Sequence, residues 1–342
     1  MGDGAVSIQT LHMSARVDVP DTSDARPEID VAPPSGVGHA SAKAILFGEH
    51  AVVFGEPAIA VPVRSLTASV RLHRTDGSAR LDSALYHGPL HTAPLRLDVT
   101  TTALHAVLDH LGEPGAAVAM TIESTIPVER GLGSSAAVSA AIVHAALDAW
   151  RTTADDETIH ELIQVSERRA HGSPSGLDAR AVRATGPLWF QRGAVAGLEV
   201  ATPLHLVIAD SGVRGRTREA VQGVADRREA DAATIDALIG ALGGLSVAAR
   251  DDLARGDLPR IGAGMSEAHR LLVELGVGDP ALDHLARAAA GAGALGAKLT
   301  GGGRGGCVLA LATDADHATA IAAHLRGAGA SAVWTTTVEA TT

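Results

Sequence analysis

The sequence predicts an α+β protein built from two domains. Its 342 residues are enough for two domains with sizeable apolar cores, and strand-like and helix-like patterns alternate along the chain. Aromatic residues make up only 2% of it, so the cores must be packed from Ala, Val, Leu and Ile. We place the domain boundary near Thr202, which gives an N-terminal domain over 37–202 and a C-terminal domain over 203–342.

Residues 1–36 are predicted to be a disordered leader. Between 14 and 36 the chain is rich in proline, glycine and acids and has no apolar period, a composition that cannot bury enough surface to fold. From Ala44 onward, short β-branched stretches separated by Gly48 and Gly55 predict a strand hairpin.

The next elements follow from the spacing of apolar residues. Alternation predicts strands over 65–74 and 116–125, with a helix over 101–111 between them. The segment 134–150 is apolar on nearly all sides, which predicts a largely buried helix.

The helix predicted over 155–171 carries an acid on its inward face. It opens with three acids and stops at Gly172, as the helix dipole and C-terminal glycine preferences require. Glu167 lies four residues after Ile163 and eight after Ile159, so its carboxylate shares their face. A buried acid needs a partner.

The C-terminal half is predicted to be richer in helices. In chain order we predict a strand over 204–212, helices near 215–243, 245–256, 259–275 and 280–292, a glycine-rich turn over 293–306, a strand over 307–313, a helix over 314–327 and a strand over 331–339.

Charge and cysteine content exclude several classes of protein. The net charge is −11, which argues against a nucleic-acid partner. Cys307 is the only cysteine, so an intramolecular disulfide and a cysteine-based zinc cluster are excluded. We find neither a signal-like start nor an apolar run of the roughly 18 residues that a membrane span needs. We therefore expect a cytoplasmic protein without a membrane partner.

Lysine is rare in this chain. Of the 28 basic residues, Lys43 and Lys298 are the two lysines and the other 26 are arginines. Both lysines stand in glycine-bearing segments. In such a composition, the retained lysines indicate positions where a compact ammonium group matters.

The stretch ERGLGSSAAVSAA, residues 129–141, is a candidate phosphate-binding loop. Its glycines lie between a predicted strand and a predicted helix, where backbone N–H groups and the helix N-terminus attract anions. The alternative is a tight turn with Ser134 or Ser135 as a helix cap. The chain contains no G-x-x-x-x-G-K-[ST] motif, and its three loose matches to G-x-G-x-x-G/A lack the context of a dinucleotide fold.

Two further segments carry candidate residues. The stretch 167–181 joins Glu167 to Asp178, whose alternative role is a plain helix cap; Glu167 could equally pair with an arginine. The glycine-rich stretch 298–307 must either wrap closely around something or form a long hairpin. Neither His50 nor His171 has metal-ligand spacing, so structural or hydrogen-bonding roles are expected for them.

Four segments in order resemble the GHMP kinase superfamily, and within it the mevalonate kinases. They are KAILFGEHAVVFGEPAIAVPV at 43–63, PVERGLGSSAA at 127–137, HGSPSGLDA at 171–179 and KLTGGGRGGC at 298–307. The resemblance implies an N-terminal domain with a left-handed β-α-β crossover, an exception to the usual handedness, and a ferredoxin-like C-terminal domain. It also implies transfer of the γ-phosphoryl group of ATP, with Mg²⁺, to the C5 hydroxyl of mevalonate.

The resemblance implies roles for residues at matching positions. Asp178 would be the catalytic base and Lys43 its neighbour, while Ser135 and Glu167 would hold Mg²⁺. Acceptor-side positions would be Glu49, His50, which would contact the mevalonate carboxylate, and Arg192 as a further cation. The ATP phosphates would lie against Gly131, Leu132, Gly133, Ser134, Ser135 and Ala136.

The chain departs from the family pattern at two places, and rival functions stay open. Many relatives have P-G-K where this chain has Ser41, Ala42 and Lys43, and Arg304 interrupts the glycines of the fourth segment. The rivals are a phosphomevalonate kinase, a diphosphomevalonate decarboxylase and an inactive ligand sensor on the same scaffold. The expected partners are mevalonate and ATP, and a homodimer is left open.

Overall fold

A computed structural model describes Met1, residues 35–172 and residues 174–341. Residues 33–342 form one compact unit. The predicted leader lies outside the described residues, apart from Met1 and its last two positions, which already belong to the first strand. The predicted boundary between two domains near Thr202 stays a prediction.

The first sheet has seven strands. Its main path runs β4-β3-β5-β2-β6-β7, and β1 pairs with β2 outside that path. The predicted hairpin is confirmed, and β2 also absorbs the strand predicted over 65–74. The strands are β1 (Ser35–Phe47), β2 (Ala58–Arg74), β3 (Arg80–Ser83), β4 (Tyr86–Pro89), β5 (Val118–Ser124), β6 (Leu188–Gln191) and β7 (Ala194–Gly197).

One face of this sheet is covered by an almost fully buried helix. The helices of this part of the chain are α1 (Asp98–His110), α2 (Ser134–Ala149), α3 (Asp156–His171) and α4 (Leu177–Ala181). As predicted, α2 is buried around most of its circumference, and it packs against β1, β2, α1 and α3. A Cβ atom on Gly38 of β1 would lie 2.0 Å from Ala141 O in α2, so glycine permits the close approach of strand and helix.

The second sheet has four antiparallel strands in the order β11-β8-β10-β9. Along the chain one strand is followed by four helices, two strands, one helix and a last strand, which is the ferredoxin-like order with additional helices in its first connection. This confirms the expected C-terminal fold. Its elements are β8 (Leu204–Asp210), α5 (Thr217–Ala230), α6 (Ala232–Arg255), α7 (Leu258–Glu274), α8 (Pro280–Gly291), β9 (Gly296–Thr300), β10 (Cys307–Ala312), α9 (Ala315–Gly327) and β11 (Ala332–Val338).

Two predicted elements of this half are wrong. The helix predicted over 215–243 is interrupted at Asp231, whose side chain accepts a hydrogen bond from Thr234 N and so caps a new helix. That helix, α6, continues through Gly243 and Gly244 and includes most of the helix predicted over 245–256. Strand β9 lies inside the turn predicted over 293–306; all five of its residues are buried, so it shows no alternation from which to recognise it.

Within the part of the chain that the structure describes, α6 is the one helix long and apolar enough to cross a bilayer by length and composition. Its most apolar 18-residue stretch has a mean hydropathy of 1.6, and 39% of that stretch is buried. It packs against α5 and α7 and contacts both β1 and β2. Packed helices of globular proteins share these properties.

The contact between β1 and α2 generates a stability prediction. Because an added Cβ would overlap the α2 backbone, Gly38→Ala should lower the free energy of unfolding by about 2 kcal/mol. Gly197→Ala is the control, since Gly197 has nothing within 4 Å of an added Cβ. Urea unfolding followed by circular dichroism measures both, and equal stability of the two variants would contradict the close-packing argument.

Candidate active site

Lys43 and Asp178 meet at the centre of the candidate site. Lys43 lies in β1 and Asp178 in the first turn of α4, and Lys43 Nζ is 3.0 Å from Asp178 Oδ1. The ammonium group also donates to Gly131 O at 3.2 Å, and Lys43 N donates to Leu132 O at 3.1 Å. The Lys43 side chain is 2% exposed and that of Asp178 is 35% exposed, so Asp178 is the member of the pair that a ligand can reach.

The helix after the glycine loop starts without a side-chain cap among the described residues. The N-cap of α2 is Gly133, at a φ of 73°, so the alternative in which Ser134 or Ser135 caps the helix is wrong. An aspartate side chain caps α3, α6, α7, α8 and α9, whereas α1, α4 and α5 resemble α2 in having no side-chain cap from the residues that the structure describes. The first N–H groups of α2 are therefore open to an anion, and the helix dipole favours one there.

The glycine loop is held against the second glycine-rich segment. Gly131 has a φ of 79°, and a Cβ there would lie 2.7 Å from Thr300 O. A larger residue would push the loop away from the end of β9. The loop thus lies between Lys43 on one side and residues 300–301 on the other.

Ser135 and Glu167 form the third part of the site. Glu167 is 2% exposed, as its position on the inward face of α3 predicted, and Ser135 Oγ donates to its Oε1. The pKa of Glu167 is raised to about 7, chiefly by burial and further by the nearby charge of Asp178, against the opposing effects of the hydrogen bond from Ser135 and the charge of Lys43. A hydroxyl and a carboxylate are hard oxygen ligands, so this pair fits Mg²⁺.

Glu49 is engaged in a contact that the sequence did not indicate. Its Oε1 accepts a hydrogen bond from Lys298 Nζ, and both side chains are fully buried. Burial raises the pKa of Glu49 and lowers that of Lys298, and each partner's charge opposes the shift. The signal for Lys298 was present in the sequence, because it is one of two lysines, but its partner was not apparent.

His50 is buried and uncharged at neutral pH. Its Nε2 donates to Gly302 O at 2.9 Å. Burial, reinforced by the charge of Arg304, lowers the pKa of His50 to about 4. The neutral ring has no second N–H for a carboxylate, so the geometry disfavours the expected contact with the mevalonate carboxylate, which stays a prediction.

Two arginines lie at the edges of this region. Arg192 is in the turn between β6 and β7, where its Nε donates to Gly55 O at 3.3 Å, and its role as an acceptor-side cation stays a prediction. Arg304 donates to Glu219 O in α5 and to Gly276 O after α7. Arg304, the residue that departs from the family's glycine pattern, therefore links the loop by hydrogen bonds to α5 and to the turn after α7.

The buried state of His50 generates a pH prediction. Because the pKa is about 4 in the folded chain against about 6.5 when unfolded, the unfolded chain binds the proton more readily at acid pH. The contribution of His50 to the free energy of unfolding should therefore fall by about 2 kcal/mol between pH 7 and pH 5. His50→Gln keeps a donor for Gly302 and should remove this part of the pH dependence, measured by urea unfolding; identical pH slopes in wild type and variant would contradict it.

Comparisons with known proteins agree with this architecture. Residues 98–185 match the N-terminal domain of GHMP kinases, and residues 249–331 match the C-terminal domain. Among curated proteins, the mevalonate kinase of Thermococcus sibiricus is 33% identical over 309 residues, covering 84% of this chain and 92% of the relative. That of Aeropyrum pernix is 34% identical over 287 residues, covering 80% and 87%.

Two solved structures that are similar in fold are also mevalonate kinases. The crystal structure of L. major mevalonate kinase in complex with R-mevalonate has a TM-score of 0.80 at 29% identity, covering 91% of this chain and 98% of that one. Mevalonate kinase from methicillin-resistant Staphylococcus aureus has a TM-score of 0.69 at 30% identity, covering 89% and 99%. Because the similarity in both sequence and fold extends over most of its length, this chain belongs to the GHMP kinases and, within them, to the mevalonate kinase family.

Proposed function

We propose that this protein transfers the γ-phosphoryl group of ATP to the C5 hydroxyl of mevalonate, which yields 5-phosphomevalonate and ADP on the mevalonate route to isoprenoids. The observation that carries the proposal is the contact of Lys43 with Asp178 beside the uncapped N-terminus of α2. Relatives that share at least 31% of their residues with this chain over most of its length are mevalonate kinases, which supports the choice of acceptor.

Asp178 is the proposed catalytic base. As the C5 oxygen forms its bond to the γ-phosphorus, the bond from that phosphorus to the oxygen that bridges the β- and γ-phosphates breaks. The hydroxyl proton passes to the Asp178 carboxylate. Lys43, 3.0 Å from the same carboxylate, stabilises its charged form and the negative charge that develops on the attacking oxygen. ADP leaves with the electrons of the broken bond.

The phosphate tail of ATP is proposed to bind the loop over 131–136. The positive φ angles of Gly131 and Gly133 and the free N–H groups at the start of α2 suit an oxyanion. The site is therefore arranged with the donor phosphates over the glycine loop and the acceptor hydroxyl over Asp178.

Ser135 and Glu167 are proposed to hold Mg²⁺. When bound, this ion neutralises charge on the phosphates of the donor and orients them. The raised pKa of Glu167, about 7, fits a carboxylate whose charged form needs a cation nearby. Glu49, His50 and Arg192 remain the proposed acceptor-side residues.

The rival functions are disfavoured by the same residues. A phosphorylated acceptor would call for extra cations beside Asp178, and the cation found there is Lys43. An inactive sensor would not need the complete set of Lys43, Ser135, Glu167 and Asp178. We propose that the enzyme acts in the cytoplasm and leave a homodimer open.

The acceptor is tested by a substrate profile. Purified protein is incubated with ATP and Mg²⁺ and with mevalonate, phosphomevalonate or homoserine, and ADP release is followed. We expect turnover with mevalonate and none above background with the other two. Phosphomevalonate would need cations beside Asp178 in addition to Lys43, and the described residues show none paired with it; homoserine is disfavoured because the curated relatives are mevalonate kinases. Turnover confined to phosphomevalonate or homoserine would overturn the assignment.

The base is tested by Asp178→Asn, which keeps an acceptor for Lys43 but cannot take a proton. We expect kcat to fall by about 10²- to 10⁴-fold, with ATP affinity retained. Asp251→Asn, an exposed position in α6, is the control and should behave as wild type. A kcat near that of wild type in Asp178→Asn would show that another group takes the proton.

A further inference from the structure

The segment over 45–50, which follows Lys43, is held by alternate residues of the C-terminal half. Lys298 and Thr300 lie on one face of β9, and Gly302 follows in the next loop; the three are called here the 298–302 strip. Each contacts the 45–50 segment: Lys298 through Glu49, Thr300 through Ile45 and Gly302 through His50. These contacts join parts of the chain about 250 positions apart.

Lys298 makes the most contacts of the strip. Its fully buried ammonium group donates to Glu49 Oε1, to Leu299 O at 2.7 Å and to Ile45 O at 3.4 Å, so its three protons each have an acceptor. Thr300 Oγ1 accepts from Ile45 N at 2.9 Å and donates to Ile45 O at 3.1 Å. Both the N–H and the C=O group of Ile45, two residues after Lys43, are therefore hydrogen-bonded to the strip.

The other carboxylate oxygen of Glu49 lacks a hydrogen-bond partner within the described part of the chain. Its Oε2 is buried and has no hydrogen-bond donor among residues 35–172 and 174–341. A buried carboxylate oxygen without a donor is costly, and the charge of Lys43 lowers the pKa of Glu49, which places this group in the electrostatic range of the site. A hydroxyl of the acceptor can supply the missing donor.

We propose that Lys298 is a positioning residue for the phosphoryl acceptor, because it fixes the carboxylate of Glu49 and the backbone of Ile45 so that the 45–50 segment faces the acceptor beside Lys43. This rests on the proposed function only in assigning Glu49 to the acceptor side. The chemistry of the ligand at Glu49 is that of an alcohol.

The test compares three variants with the wild type, using the acceptor that the wild-type protein phosphorylates. Lys298→Met removes the ammonium group and keeps the length of the side chain. We expect kcat/KM for the acceptor to fall by about 10- to 100-fold, mainly through KM, while KM for ATP stays within about 2-fold. Equal changes in both KM values, or a lower Tm with unchanged kinetics, would overturn the proposal.

Arg74→Met is the matched control. Arg74 Nη1 is 3.4 Å from Glu113 Oε1, so this change also removes an ion pair, between the end of β2 and the turn after α1, and neither residue belongs to a segment that we assign to ligand binding. It should lower Tm and leave KM for the acceptor within about 2-fold. A rise as large as that in Lys298→Met would mean that general loosening, not positioning, causes the effect.

A second variant covers the case in which Lys298→Met does not fold. Lys298→Arg keeps the charge, so Glu49 is not left unpaired, but a planar guanidinium cannot reproduce three donors on one nitrogen. We expect a folded protein with a raised KM for the acceptor. Faster hydrogen exchange over 43–50, and unchanged exchange over 129–136, should accompany it; a wild-type KM would overturn the proposal.

The two proposals fail differently. If the wild-type protein does not phosphorylate mevalonate, the proposed function is wrong, and the Lys298 test continues with whichever acceptor it does phosphorylate. If mevalonate is turned over and the Lys298 variants keep the wild-type KM for it, the positioning role alone is wrong.

Discussion

The buried ammonium group of Lys43 is the interaction on which the arrangement of the site depends. At 2% exposure it has lost almost all its water, and a buried charge without partners costs several kcal/mol. Its acceptors are Asp178 in the first turn of α4 and the carbonyl of Gly131 in the glycine loop. Because the buried lysine needs both acceptors, the glycine loop and the start of α4 must lie against β1, and the fold that satisfies this lysine also assembles the site.

Strand β1 contacts other parts of the site along its whole length. Near its start, Gly38 lets the middle of α2 lie directly on the strand backbone. In its middle, Lys43 contacts the loop that leads into that helix, and at its end Ile45 is hydrogen-bonded to Thr300. One strand thus contacts the glycine loop, Asp178 and the C-terminal half.

Sequence patterns predicted those parts of the molecule whose cause is local. The apolar circumference of α2, the inward position of Glu167 and the glycine loop all follow from residues within a few positions of each other. Strand β9 and the partner of Glu49 could not be predicted, because pairing with β10 and the contact of Lys298 with the 45–50 segment join distant parts of the chain. The break at Asp231 was a local signal, a capping residue before an alanine-rich run, that the longer apolar period concealed.

The use of lysine at two positions has a geometric reason. Among 28 basic residues, the two lysines are both buried, and each places several acceptors around one nitrogen: two for Lys43 and three for Lys298. An ammonium group can direct its protons to acceptors that do not share a plane, whereas a guanidinium requires a planar set. Because the charge of Lys43 further lowers the pKa of Lys298, the chain tolerates two buried cations within interacting range only by giving Lys298 the carboxylate of Glu49. The acidity of Glu49 and the charge of Lys43 are thereby linked, and the electrostatics around Glu49 cannot be separated from those of the pair of Lys43 and Asp178.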